Sequence, residues 1–140
     1  MEDAVNRPKV AVAALVISGE YILLAERHAG KLQGQYAAPG GHLEWMEKFE
    51  DAAIRELHEE TGMTAKPEDC EVVGVGQGFA PEEDHCWVVV FVRIRAWAGK
   101  PEVMEPEKQG LWGWYPLDAL PANVLEPLRQ ISLKLVGRAR

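Results

Sequence analysis

Cysteine occurs only twice in the 140-residue sequence, at Cys70 and Cys86, too few for a disulfide framework and too isolated for a metal knuckle. No apolar run reaches membrane-spanning length, and the opening residues Met1-Glu2-Asp3-Ala4-Val5-Asn6-Arg7-Pro8-Lys9 are too polar and acidic for a secretory signal. The cytoplasm is therefore the expected compartment, and no membrane partner is expected. Positive charge is scarce as well: 15 Lys and Arg stand against 22 Asp and Glu, a net charge of −7. A sequence-independent binder of nucleic-acid polymers carries a basic surface instead. Small phosphate-bearing molecules stay compatible with this charge, because bound divalent cations invert the local potential. Repeats, low-complexity tracts and linkers are missing. What remains is the composition of an ordinary globule, 47% hydrophobic and 26% charged, at a length that suits one domain over residues 1–140. A chain of this size buries about two-thirds of its unfolded surface.

Hydrophobic patterning predicts strands alternating with two helices. Residues 10–17 form a β-branched and alanine-rich run, Ser18-Gly19-Glu20 reads as a hairpin turn, and residues 21–25 return as the second strand. A loop follows over 28–35 and a short segment over 36–38. Residues 71–79 read as a glycine-interrupted strand, 85–97 as the longest and most apolar strand, and 111–115 as another. Between the first two of these, Pro81-Glu82-Glu83-Asp84 reads as a solvated loop. Helices are expected from 47 or 48 to 61 and over 124–136. Mixed strands with few helices point to an α+β fold, a sheet covered by helices on its faces.

The chemistry concentrates between Gly41 and Met63. On a helix, Glu56, Glu59 and Glu60 stand at i, i+3 and i+4, so their carboxylates converge on one arc. That arc also holds Phe49, Ala52 and Ala53, residues that a helix turns towards its protein, so the glutamates are expected to face inwards or into a cleft. Three carboxylates there repel one another, and desolvation makes each charge costly unless it is paired. Oxygen donors at this density suit Mg²⁺ or Mn²⁺, and the lack of clustered His and Cys argues against zinc. Arg55 precedes Glu59 by one turn and is placed to neutralise or orient a carboxylate, with Glu47 as a further partner. Gly62 closes the helix as a C-terminal cap. Pro39-Gly40-Gly41 reads as a loop whose backbone approaches a ligand closely because it lacks side chains. A Glu-His-Glu-Glu run alone is most often a solvated face.

The whole pattern is more specific than that run. Gly41, Glu47, Arg55-Glu56-Leu57-His58-Glu59-Glu60-Thr61-Gly62-Met63 resembles the complete signature of the Nudix hydrolases, with every position at the family's spacing. Seven of these positions each admit one residue type, so a chance match is on the order of 10⁻⁸ per starting position. Pro39-Gly40-Gly41-His42-Leu43-Glu44, Met104-Glu105-Pro106-Glu107-Lys108, Trp112-Gly113-Trp114-Tyr115 and Leu120-Pro121 extend the likeness to the nucleotide-pool, MutT-like branch of nucleoside-triphosphate pyrophosphohydrolases. One departure stands out: relatives have glycine before the glutamate at 47, where this chain has Met46.

The resemblance implies an α/β/α sandwich around a central mixed sheet. It also implies Mg²⁺-dependent hydrolysis of a (deoxy)nucleoside triphosphate to monophosphate and pyrophosphate, clearing oxidised or surplus nucleotides. Carried over residue by residue, the Gly40 carbonyl, Glu56 and Glu60 would hold the cation with Glu59 close by, and Glu107 would supply a further acidic ligand or base. Gly41 and the Arg55 guanidinium belong to the same site. For the substrate, Trp112 and Trp114 are read as pointing to opposite faces of a strand. One of them stacks on a base, or both are core residues. Phe79 and His85-Cys86-Trp87 flank a loop near the expected pocket, and Asn123 is similar to an asparagine that reads the oxidised purine in MutT-type enzymes. A homodimer is the expected assembly. Two alternatives stay open: hydrolysis of another diphosphate-linked compound (a nucleotide sugar, a dinucleotide or a non-nucleoside diphosphate) and a non-catalytic ligand sensor.

Overall fold

The computed structural model describes residues 6–30 and 32–136. Residues 1–5 of the acidic opening, and Lys31 of the loop over 28–35, lie outside them. In chain order the elements are β1 (Lys9–Ser18), β2 (Tyr21–Glu26), β3 (Tyr36–Ala37), β4 (Gly40–His42), α1 (Phe49–Thr61), β5 (Cys70–Ala80), β6 (His85–Ile94), β7 (Gly113–Pro116) and α2 (Glu126–Leu135). The strands make one mixed sheet in the order β3-β2-β1-β6-β5, with β4 paired to β1 and β7 to β2. Its α+β class and its helix-covered sheet agree with the expectation from sequence.

β1 decides where the site will be. Along one edge it runs parallel to β6, from Lys9 opposite Trp87 to Val16 opposite Ile94. Two strands must therefore share its other edge. β4 takes Ala11, Val12 and Ala13, whereas β2 takes Ile17 and Ser18 across the Gly19-Glu20 turn. Between them the Ala14 N–H reaches the Pro39 carbonyl at 2.7 Å, and the sheet parts there.

Alternation along β1 sorts its side chains to two cores. Val12, Ala14 and Val16 join Ala52, Ala53 and Leu57 of α1, with Val90, Val92 and Ile94 of β6. Leu15 and Ile17 join Leu128, Ile131 and Leu135 of α2, with Val89 and Phe91. Each fully buried Leu or Phe contributes about 1.5–3 kcal/mol of transfer free energy. The glycines of β5 form the seat of α2: a Cβ on Gly74 would lie 2.6 Å from Ile131 Cδ1, and one on Gly76 3.0 Å from Pro127 Cβ.

Several expectations are corrected. Gly40 and Gly41 are strand rather than loop, because their backbones fill the vacant edge of β1. β6 stops at Ile94, three residues before Trp97, since its partner β5 begins opposite it at Cys70 after a 3₁₀ turn over Pro67–Asp69. The Arg95 N–H turns to the Asp69 carbonyl instead. β5, at 11 residues, is therefore the longest strand. β7 starts at Gly113, leaving Trp112 before it, and Phe49 is exposed at the first residue of α1. Trp112 and Trp114 lie on one side, as residues two apart on extended chain do. Trp97 and Trp112 both pack against the α1-side core, and Trp97 stacks on Trp114 with ring centroids 6.2 Å apart. No helix among the described residues is long and apolar enough to cross a membrane.

Candidate active site

β4 and α1 face each other at the place where the sheet parts. Glycine is required at 41 by close approach: a Cβ there would fall 2.5 Å from Glu56 Oε1. At Gly40 a Cβ would run into the Val12 carbonyl of the neighbouring strand. The missing side chains thus make the cradle in which the Glu56 carboxylate lies against backbone. α1 presents its carboxylates to this cradle because Ala52, Ala53 and Leu57 bury its other inward positions, and Gly62 ends it with a left-handed φ of 78°. The preceding turn carries Met46 at φ 62°, a conformation that favours glycine and that the methionine adopts here.

Arg55 organises the acidic groups. Its Nε donates to Glu47 Oε2 at 2.8 Å and Nη2 to Glu47 Oε1 at 3.0 Å, a bidentate pair. Nη1 donates to Glu56 Oε1 at 2.8 Å and reaches Glu59 Oε2 at 3.5 Å, while Nη2 also serves the His42 carbonyl at 3.1 Å. The guanidinium hydrogen bond holds the Glu47 carboxyl below the usual carboxylate range. The arrangement is the one expected from sequence, with His42 as an added acceptor.

Glu60 is the buried member. Its Oε2 accepts from the Gly40 N–H at 3.1 Å and its Oε1 from Gln109 Nε2 at 2.8 Å. Burial first, and then the hydrogen-bonded Glu56 carboxyl beside it, push its pKa up to about 9. Two carboxyls in hydrogen-bond contact need a proton or a cation between them. That requirement, the oxygen-only donors and the glycine cradle together fit Mg²⁺ or Mn²⁺. Among the described residues no three acidic, His or Cys side chains form a ready-made cage. Mg²⁺ does not need one, since it commonly takes one or two carboxylates and completes its shell with water and substrate phosphate. Glu56 and Glu60 are the side chains that would hold it.

The raised Glu60 pKa has a measurable consequence. In the folded, metal-free chain Glu60 keeps its proton up to about 9, but unfolded it loses it near 4.5. Stability from this group is therefore complete below the lower value and lost as pH rises through the upper one. Replacement of the proton by a divalent cation reverses the trend. Calorimetry in chelator should show Tm falling between about pH 6 and about pH 8.5, with added Mg²⁺ raising it more at the higher pH. Equal Mg²⁺ increments at both would contradict this assignment.

A cavity of about 490 Å³ runs from the carboxylates into the α2 side of the sheet, within the range of small-molecule sites. Gly40, Gly41, Glu56, Glu59 and Glu60 line one end, and Trp87, Val89, Phe91 and Leu128 the other. His85 stacks on Trp87 with ring centroids 5.2 Å apart, and both rings line the wall. Trp112 also lines the cavity, and its indole N–H donates to the Glu60 carbonyl at 3.2 Å. It is wall and scaffold at once.

Of the other anticipated residues, one is at the cavity's rim and the rest lie outside it. Glu59 is half-exposed at the rim. Glu107 is exposed on its turn and does not line the cavity, whereas Glu105, two residues earlier, does and faces Glu60 electrostatically. Phe79 is exposed over a neighbouring shallow groove. Asn123 lies outside the cavity, its amide donating to the Gly34 carbonyl at 2.7 Å and tying two loops together. Gln109 was not anticipated: a lone amide has no pattern, and only the fold brings it 49 positions back to Glu60.

Comparison with known proteins agrees with this fold. The chain is 34% identical over 88 residues to an ADP-ribose pyrophosphatase of Methanocaldococcus jannaschii, covering 61% of this chain and 50% of that protein. The matches span between a fifth and a half of the length of the first curated relatives. Among solved structures, a MutT NUDIX hydrolase from Burkholderia pseudomallei superposes with a TM-score of 0.84 at 29% identity, covering 94% of this chain and 99% of that one. A bifunctional NMN adenylyltransferase/ADP-ribose pyrophosphatase from Francisella tularensis, complexed with AMP and a manganese ion, gives 0.65 at 25% identity, covering 99% and 44%. The NUDIX domain family model matches residues 7–136. The chain belongs to the NUDIX family.

Proposed function

We propose that the protein is a divalent-cation-dependent hydrolase of diphosphate linkages, and that it converts nucleoside triphosphates to monophosphates and pyrophosphate. The observation that carries this reading is the contact of Glu56 with Glu60 over the Gly41 cradle, at one end of a cavity whose far end is apolar and aromatic. A cation held there neutralises phosphate oxygens and brings bound water to reactivity near neutral pH. The chain's own residues do the rest. The Gly40 carbonyl, Glu56 and Glu60 would hold the ion, Arg55 keeps Glu56 and Glu47 in place, and the wall around Trp87 would receive the ring of the substrate. Glu59 or Glu105, which line the cavity and are partly exposed, would take the proton from the attacking water.

The placement of Glu105 supports assigning it the role expected of Glu107. Glu105→Gln should lower the maximal rate about 10²-fold, the usual worth of general-base help, with Glu107→Gln close to neutral. Steady-state rates of the two variants decide between them; the opposite ranking would return the role to Glu107.

A second reading, cleavage of a nucleoside diphosphate linked to another group, is favoured by the relatives named for ADP-ribose. Incubation of nucleoside triphosphates and ADP-ribose-like compounds with Mg²⁺, with pyrophosphate and orthophosphate measured separately, tests both. Pyrophosphate from triphosphates supports the first reading, and turnover of the linked diphosphates alone supports the second. No turnover on either class would overturn the enzyme assignment. We also infer a homodimer, supported by the apolar side chains that edge strand β5 exposes at Val72, Val75 and Phe79. A monomeric mass in solution would contradict that.

A further inference from the structure

Glu60 is gripped from both sides, and one of the two hands is a side chain that no motif includes. Gly40 N–H engages Oε2, and Gln109 Nε2 engages Oε1. With one donor on each oxygen, the carboxylate plane is fixed while each oxygen keeps a further lone pair for a cation.

Gln109 is itself immobilised. It is buried, at 7% exposure, and its N–H donates to the Glu105 carbonyl at 3.1 Å. It forms an antiparallel bridge with Arg27 at the end of β2, flanked by His28 N–H to the Lys108 carbonyl and Gly110 N–H to the Glu26 carbonyl. Gly110 permits that strapping, for a Cβ there would lie 2.9 Å from His28 Nε2. The amide is therefore presented from a rigid strip of backbone, a fit support for a site side chain.

The residue type also carries information. Gln109 Oε1 is buried and has no hydrogen-bond partner. A methionine would fill similar space without that cost, so a purely packing role does not account for the amide. A Lys or Arg at this position would neutralise Glu60 and compete with a cation, and an ionised Glu would add repulsion to Glu56, Glu60 and Glu105. A neutral donor orients the carboxylate without taking its charge.

We propose that Gln109 is a positioning residue, holding the Glu60 carboxylate in the orientation in which it takes a divalent cation. This rests on the reading of Glu56 and Glu60 as the cation's ligands. Partners of ligating carboxylates commonly contribute 10–100-fold to metal affinity. Calorimetric titration of the substrate-free protein with Mn²⁺ is the direct readout, beside Tm in chelator. Gln109→Met should bind Mn²⁺ about 10-fold more weakly, with metal-free Tm little changed, because relief of the unpaired Gln109 Oε1 offsets the donor that Glu60 Oε1 loses. Gln109→Asn, which keeps the amide but withdraws it by one methylene, should show a similar loss and covers the case in which the methionine variant does not fold. At saturating Mg²⁺ the maximal rate should largely return, with the defect lying in the Mg²⁺ concentration required. Mn²⁺ affinity unchanged in a folded variant would overturn the proposal while leaving the ligand assignment intact. Wild-type affinity equal to that of Glu60→Gln would remove the ligand assignment, and the proposal with it.

Discussion

Glu60→Gln is expected to lower turnover about 10²–10³-fold while leaving the metal-free protein at least as stable as the parent at neutral pH. The two halves of that expectation share one cause. Glu60 sits buried beside Glu56 and carries a proton in the metal-free fold, so a neutral amide of the same shape replaces a group that is already neutral. The loss appears only when a cation must be held, because the amide offers one oxygen and no charge. Glu56→Gln should reduce turnover to a similar degree, but with a cost in stability, since Glu56 also accepts from Arg55 Nη1 at 2.8 Å. Rates at saturating Mg²⁺, set beside Tm with and without the ion, separate these outcomes. Near-normal turnover in Glu60→Gln would remove it from the site.

Arg55→Ala should damage stability and activity together. The guanidinium serves Glu47 twice, Glu56, Glu59 and the His42 carbonyl, and only about a quarter of its side chain is exposed. Removing it leaves Glu47 and Glu56, both largely covered, without their cation. Breaking a buried ion network in this way costs about 3 kcal/mol, the lower end of the usual range given the partial exposure of Arg55. The depressed pKa of Glu47 adds a pH signature. Its stabilisation is present above the unfolded value of 4.5 and lost as pH falls through the lowered one, so the parent's advantage over Arg55→Ala should shrink on acidification. Activity should fall because Glu56 is no longer held against Gly41. Loss of stability with full activity at low temperature would make Arg55 scaffold alone.

The parts legible in the sequence are those that local periodicity or a unique residue requirement dictates. α1 and its Gly62 cap follow from helical spacing and from a backbone angle that favours glycine. The β1–β2 hairpin follows from two apolar runs around Gly19. Gly40-Gly41 reads as loop in the sequence because glycine is depleted in strands, and only the vacant edge of β1 makes it a strand. Glu105 and Glu107 are indistinguishable as letters. The turn around Pro106, with Lys108 and Gln109 N–H groups both returning to the Glu105 carbonyl, determines which one faces the cavity. Asn123 resembled a base reader by sequence position, but its amide is spent on Gly34. Gln109 belongs to no pattern, since what recruits it is the strapping of its segment to β2 and not any local signal.

A crystal of the protein grown with Mn²⁺ and measured at a wavelength where manganese scatters anomalously would locate the cation. A peak is expected between the Glu56 and Glu60 carboxylates beside Gly40, with oxygen ligands at about 2.1 Å. A peak held by other carboxylates, or none with Mn²⁺ saturating, would contradict it.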